Sequence, residues 1–241
     1  MCLLDDPLTT AHRADRLRQP GYLRALYRSW YAAICARLPD SGGEVLELGS
    51  GGGFLAECIP GLRTSDVMPV PGVELQIDAR TLPFPDASLR AVVGTNVLHH
   101  VPDIERFLGE VVRTLRDGGR LIFIEPWPTL LSKPIYRHLH HEPFDMTRDW
   151  SIPPGGPLTA ANGALPWIVF QRDRGLFADR FPDLHIRGVD PLMPFSYLAG
   201  GGIGRSWPLP EWLFHGIRMI ERPLDALGLF AILTIERAPR P

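Results

Sequence analysis

Glu44-Val45-Leu46-Glu47-Leu48-Gly49-Ser50-Gly51-Gly52-Gly53 is the stretch on which the fold turns. Residues 44–49 read as a short apolar strand running into a glycine turn. Phe54–Ile59 reads as a short helix stopped by Pro60-Gly61. A glycine-rich turn between strand and helix lets a ligand reach the backbone where side chains would block it. The helix end beyond offers N–H groups with no partner inside the helix. In an open α/β sheet, this carboxyl end of the first strand is where ligands bind.

Working outward, strands fit around Leu62–Val67, Val73–Ile77, Leu89–Thr95 and Arg120–Ile124, the last two as nearly continuous apolar runs. Pro102 and Asp103 start a helix whose apolar stripe is Ile104, Phe107, Leu108, Val111, Val112 and Leu115, ended by Gly118-Gly119. Before the glycine turn, Leu23, Leu26, Tyr27, Trp30, Ile34 and Leu38 recur at helical spacing over residues 21–38. After it, residues 163–180 read as helix, His185–Val189 as strand, Trp212–Ile220 as an apolar helix and Leu227–Ile235 as a closing strand. The alternation predicts an α/β fold: a doubly wound, mostly parallel, seven-stranded sheet with helices on both faces and an antiparallel C-terminal strand. One domain over residues 1–241 is expected. It comprises a helical cap at 1–40, a cofactor-binding half at 41–125 and an acceptor-side half at 126–241, whose 126–160 insert is rich in Pro, Trp and His. Only Met68–Gly72 separates the second and third strands, too little for the usual crossover helix. The third strand is therefore short, or the crossover is a bare loop.

Composition excludes several classes. The chain has 241 residues, is 45% hydrophobic and 22% charged, and carries a formal net charge of −2, which suits a folded soluble domain rather than a nucleic-acid binder. Lys133 is its only lysine, so no basic stripe is expected. Cys2, Cys35 and Cys58 form no CxxC and no disulfide framework, and no apolar run approaches the ~18 residues of a membrane span. With no signal-peptide pattern at the N-terminus, a cytoplasmic protein is expected.

Two cofactor readings compete at the turn. A nicotinamide or flavin site wants a third glycine where Phe54 stands. The spacing present, Glu47, Gly49, Gly51 and Gly53 with Ser50 between, resembles motif I of class I S-adenosylmethionine-dependent methyltransferases. Three further segments carry the same resemblance: Asp78-Ala79-Arg80-Thr81-Leu82-Pro83-Phe84-Pro85-Asp86, Gly94-Thr95-Asn96-Val97-Leu98-His99-His100-Val101, and Leu115-Arg116-Asp117-Gly118-Gly119-Arg120-Leu121. Together they span roughly residues 44–125 in the expected order, closest to the small-molecule (type 11-like) branch. An aspartate stands where proline is usual, at Asp117.

The resemblance implies S-adenosylmethionine as cofactor. Glu47, Gly49, Ser50, Gly51 and Gly53 would face its amino acid end. Asp66 is the candidate for the ribose hydroxyls, with Val67 beside it. Asp78 and Ala79 would face the adenine, and Asn96 and Val97 would lie under the methionine part. His99 and His100 are the candidates for lining the transfer site. Trp127, Tyr136, His140, His141 and Trp150 are expected around an acceptor pocket. His138, His140, His141 and Glu142 show no helical metal-binding spacing, so no metal is expected. No Asn-Pro-Pro-aromatic motif follows strand four, which argues against amino-group methylation of DNA or protein glutamine. The expected activity is methyl transfer to a small-molecule or lipid-like acceptor by a monomer or homodimer, with no nucleic acid partner and no membrane span. The alternatives are a non-catalytic S-adenosylmethionine-binding regulatory or partner protein and a nicotinamide oxidoreductase. Phe54 and the 78–89 segment argue against the last.

Overall fold

The computed structural model describes residues 5–139, 142–201 and 207–239. Two helices come first, α1 (Pro7–Arg18) and α2 (Tyr22–Cys35). Helix α1 lies within the expected cap but at residues where no helix was read. Its start is explained by Asp6, whose carboxylate accepts from the Leu8 N–H, and by Pro7 in the first turn, where a missing N–H does no harm. Helix α2 follows the predicted stripe: Leu26, Trp30 and Ile34 are fully buried.

Strands β1 (Glu44–Glu47), β2 (Arg63–Asp66), β3 (Leu75–Gln76), β4 (Leu89–Thr95) and β5 (Leu115–Pro126) follow, with α3 (Ile104–Thr114) between the last two. Beyond them lie α4 (Ser132–His138), α5 (Leu165–Trp167), α6 (Arg174–Arg180), β6 (Leu184–Leu192), α7 (Ser196–Ala199), α8 (Glu211–Glu221) and β7 (Phe230–Arg237). The sheet has seven strands in the order β3-β2-β1-β4-β5-β7-β6. β1 to β5 pair in parallel, and β7 runs antiparallel to both β5 and β6. The predicted architecture therefore stands. Strand order reverses between β1 and β4, and the crevice at their carboxyl ends is the natural ligand site of such a sheet.

Side chains alternate across the sheet with the period of two that a strand imposes. Leu121 and Phe123 join one buried cluster with Phe107, Leu108 and Val111 of α3. Ile122 and Ile124 join the other with Leu26, Trp30 and Ile34 of α2. Burying side chains of this size stabilises by roughly 1.5–3 kcal/mol each, so the sheet edge is held by well-packed layers on both faces.

Several elements differ from expectation. The helix read at 54–59 is a single 3₁₀ turn, Leu55–Glu57. Of the two crossover possibilities after β2, both hold: β3 shrinks to two residues and the connection is a bare loop, anchored by buried Met68 and Val70. Helix α3 stops at Thr114, ahead of Gly118-Gly119, because Leu115 already pairs with Leu89 in the sheet. The 126–160 insert is not wholly irregular: it opens on the end of β5 and contains α4. The helix expected at 163–180 is broken by a π-type turn over Ile168–Arg172. Helix α8 buries Phe214 and packs Leu213 and Ile217 against the core but exposes Trp212, Met219 and Ile220, so core packing accounts for only part of its apolar residues.

Candidate functional site

The glycine turn is built so that neighbouring segments meet its backbone. Gly49 and Gly51 adopt φ of 63° and 49°, a conformation that favours glycine. A Cβ on Gly49 would lie 2.4 Å from Cγ2 of Val97, so the segment after β4 rests directly on the turn. A Cβ on Gly52 would lie 2.3 Å from Cα of Ala14, so α1 covers the turn from the other side. The Thr10 hydroxyl of α1 is buried near Gly51 and has no hydrogen-bond partner among the described residues.

Hydrogen bonds tie the turn to β2. The Gly51 N–H donates to Asp66 Oδ2 (3.1 Å) and the Met68 N–H to Asp66 Oδ1 (2.9 Å). Ser50 Oγ donates to Glu47 Oε2 (2.7 Å) and accepts from the Ser65 N–H (3.1 Å). Glu47 is 3% exposed. Burial pushes its carboxyl up to about 7, against the Ser50 hydrogen bond, with the Asp66 charge adding to the rise. Burial also raises Asp66, against the N–H groups that favour its ionised form. The acid expected to stand near an ammonium and the acid expected at the ribose are thus both buried beside the turn, at the ends of β1 and β2.

The adenine-side residues are arranged differently. Asp78 is ion-paired to Arg80 (2.6 Å), which holds its carboxyl below the usual range. Arg106 of α3 fixes that loop by donating to the Arg80 carbonyl (2.9 Å). Ala79 is half-buried next to this pair, and Val67 is exposed at the end of β2. Asn96 takes φ of 57° and donates its N–H to the Ile124 carbonyl, a left-handed step that turns the chain from β4 into the 3₁₀ turn Leu98–His100.

That turn carries the two histidines, and a residue not singled out from the sequence organises them. Glu125, fully buried in β5, accepts from the Val97 and Leu98 N–H groups at Oε1 (2.8 Å each). Its other oxygen, Oε2, lies 2.6 Å from His99 Nδ1. The signal was an acid closing the apolar run Leu121-Ile122-Phe123-Ile124, at the ligand end of a central strand. Glu142, from the insert, approaches the far side: Oε2 is 3.3 Å from His99 Nε2, and Oε1 is 3.9 Å from His100 Nε2. His100 Nδ1 is 3.0 Å from the Ala160 carbonyl. Burial works against a charged His99, but Glu125 and Glu142 outweigh it and raise the ring to about 9. Burial lowers His100 to about 4, and the neighbouring His99 charge adds to that.

Of the residues expected around an acceptor, Trp127 and Tyr136 are buried and converge on one carbonyl, that of Leu229. Tyr136 stacks on Phe144 with ring centres 4.5 Å apart. Trp150 shares a buried cluster with Trp127, but its indole N–H donates away from that carbonyl to Asp173 (2.9 Å), and Arg180 lies over its ring. His140 and His141 lie outside the described residues.

Residues 46–123 match the family model for a methyltransferase domain. The chain is 41% identical over 61 residues to the phthiotriol/phenolphthiotriol dimycocerosates methyltransferase 1 of Mycobacterium ulcerans, covering 25% of this chain and 22% of that one. It is 32% identical over 94 residues to the demethylmenaquinone methyltransferase of Thermobifida fusca, covering 39% of this chain and 32% of the relative. These alignments therefore span about a fifth to a third of the relatives' length. A chain of the solved complex between the Haloferax volcanii Trm112 methyltransferase activator and a methyltransferase superposes with a TM-score of 0.56 at 19% identity, covering 100% of this chain and 99% of that one. At that identity the likeness is one of fold.

Proposed function

From the membership of residues 46–123 in the class I S-adenosylmethionine-dependent methyltransferase superfamily, we propose that this protein transfers the methyl group of S-adenosylmethionine to a small-molecule or lipid-linked acceptor. The observation that carries the reading is the meeting of three segments at the reversal point of the sheet. Asp66 is bonded to Gly51, Val97 sits on Gly49, and His99 and His100 follow within one turn.

The residues fit the cofactor. The buried Thr10 hydroxyl beside Gly51 has, among the described residues, a hydrogen bond still to make, and the buried acids Glu47 and Asp66 suit an ammonium and ribose hydroxyls. Bound there, S-adenosylmethionine supplies a methyl group already activated on a sulfonium. Glu47, steadied by Ser50, offsets the ammonium charge, and Asp66 orients the ribose. Helix α1 lies over the turn and excludes water, which strengthens the charge interactions beneath it. His99, His100 and Glu142 line the acceptor side, where they align a polar acceptor group with the methyl. A lipid-linked acceptor is supported by what the named relatives act on and by the apolar residues exposed along α8.

Calorimetry tests the reading. S-adenosylhomocysteine is expected to bind the wild type in the micromolar range. Binding should fall at least about 100-fold in Gly51→Val and about tenfold in Asp66→Ala, with circular dichroism reporting that both variants fold. A folded wild type that binds neither S-adenosylmethionine nor S-adenosylhomocysteine overturns it. If binding holds, transfer of labelled methyl to quinone, phenol and fatty-acid acceptors separates the acceptor classes.

A further inference from the structure

We propose that His99, His100 and Glu142 form a binding site for a divalent transition-metal ion, of the kind that zinc represents. One donor atom from each of the three residues lies within 4.8 Å of the other two. The side chains of His99, His100 and Glu142 are 2%, 12% and 21% exposed, so the cluster is largely withdrawn from water.

Hydrogen-bond polarity makes the case. Glu125 already accepts two backbone N–H groups at one oxygen, so its second oxygen meets His99 Nδ1 as an acceptor, and that nitrogen carries the hydrogen. A carbonyl can only accept, so His100 Nδ1, facing Ala160 O, carries a hydrogen too. A metal ion would displace the Nε2 hydrogen that Glu125 and Glu142 otherwise hold on His99, after which each ring turns the lone pair of Nε2 toward Glu142. Two lone pairs and a carboxylate then converge within 4.8 Å, a donor set suited to a cation. A buried carboxylate behind the ligating histidine, fixing its tautomer through the other ring nitrogen, is the outer-shell arrangement that metal-binding histidines use.

The spacing suits such an ion. Metal–donor bonds of ~2.0–2.2 Å place the donors roughly 3–3.5 Å apart. The Nε2–carboxylate distances here are 3.3 and 3.9 Å, so small side-chain movements close the site. Two imidazole nitrogens and one carboxylate favour zinc, iron or nickel over magnesium and calcium, which prefer oxygen alone. Three protein ligands leave a position open for water or an acceptor oxygen. The spacing within 138–142 argues against a metal held by that run. It does not bear on a site that joins Glu142 to a histidine pair from the far end of β4.

The proposal stands apart from methyl transfer, because metal binding is read without S-adenosylmethionine. The full chain, stripped with chelator, is titrated with Zn²⁺ and with Co²⁺, whose visible spectrum reports nitrogen–oxygen coordination. One equivalent per chain is expected. Glu142→Gln and His100→Ala should each weaken binding about 100-fold, and Glu125→Gln about tenfold, within the range for outer-shell partners. His185→Ala, an exposed control on β6, should leave it unchanged. Thermal melts of the stripped variants separate lost binding from lost folding. No binding by the folded wild type, with ¹⁵N shifts showing a hydrogen on both nitrogens of His99, would overturn the proposal and make the occupant a proton. Binding unaffected by Glu142→Gln and His100→Ala would overturn it equally.

Discussion

The glycine turn and the histidine cluster share one edge of the sheet and touch where Val97 rests on Gly49, but they are held together by different means. The turn is closed by bonds among near neighbours: Ser50 to Glu47, Gly51 to Asp66, Ser65 to Ser50. The cluster draws on Glu125, Glu142 and the Ala160 carbonyl, all from later parts of the chain. A turn closed by bonds to the two strands nearest it in the chain keeps its shape when distant packing changes. A cluster assembled across the fold depends on every segment that supplies it. The most disruptive way to test the boundary between them is at their contact. Gly49→Val puts a branched side chain at φ of 63° and drives its Cβ into Val97. Strain of ~1–3 kcal/mol and overpacking of similar size together predict a loss of roughly 2–6 kcal/mol in denaturant unfolding. Binding of S-adenosylhomocysteine should disappear, and the His99 and His100 resonances should shift with it. Wild-type histidine resonances in that variant would mean that the two regions are mechanically separate.

Next in size is the buried acid of each region. Glu125→Leu removes the acceptor for the Val97 and Leu98 N–H groups and for His99, inside a fully buried site. Leaving buried donors unpaired predicts a loss of roughly 3–4 kcal/mol. Asp66→Asn keeps one carbonyl oxygen for the Gly51 or Met68 N–H on a residue 7% exposed, so roughly 1–2 kcal/mol is expected. Equal losses in the two variants would erase the contrast between a turn that is locally closed and a cluster that is not.

The same contrast explains what could be read in advance. Gly49, Gly51 and Gly53 recur at short spacing, and strands β4 and β5 announce themselves as apolar runs, so the sheet and the turn are legible from neighbours in the chain. His99 and His100 could be placed at the ligand end of β4 for the same reason. Their partners could not, because nothing local links Glu125 or Glu142 to a histidine pair in another segment. The break at Ile168–Arg172 was hidden for a related reason: the apolar spacing there suits a continuous helix, and a π-type turn leaves no separate mark on that pattern. The early end of α3 depends on Leu115 finding Leu89, which is a property of the sheet and not of the helix.

Glu47 gives an effect that is read only through pH, and it tests whether even the locally closed region carries strain for its ligand. Burial lifts its carboxyl from an ordinary 4.5 to about 7. A raised acid binds its proton more tightly in the folded chain than in the unfolded one. Its contribution therefore favours folding most at low pH, declines as pH rises from about 4.5 to about 7, and is flat above that. A shift of this size corresponds to ~3 kcal/mol at most. Glu47→Gln keeps an oxygen to accept from Ser50 and removes the titration. Its stability relative to wild type should therefore rise by roughly 2–3 kcal/mol between pH 5 and pH 8, measured by urea unfolding at each pH. The same variant should bind S-adenosylmethionine more weakly at pH 8, having lost the charge that faces the ammonium. A variant that is both firmer and a poorer binder would mark Glu47 as an acid retained for its ligand at the expense of the fold. A stability difference that does not move with pH would mean that Glu47 ionises at its ordinary value and that the turn carries no such strain.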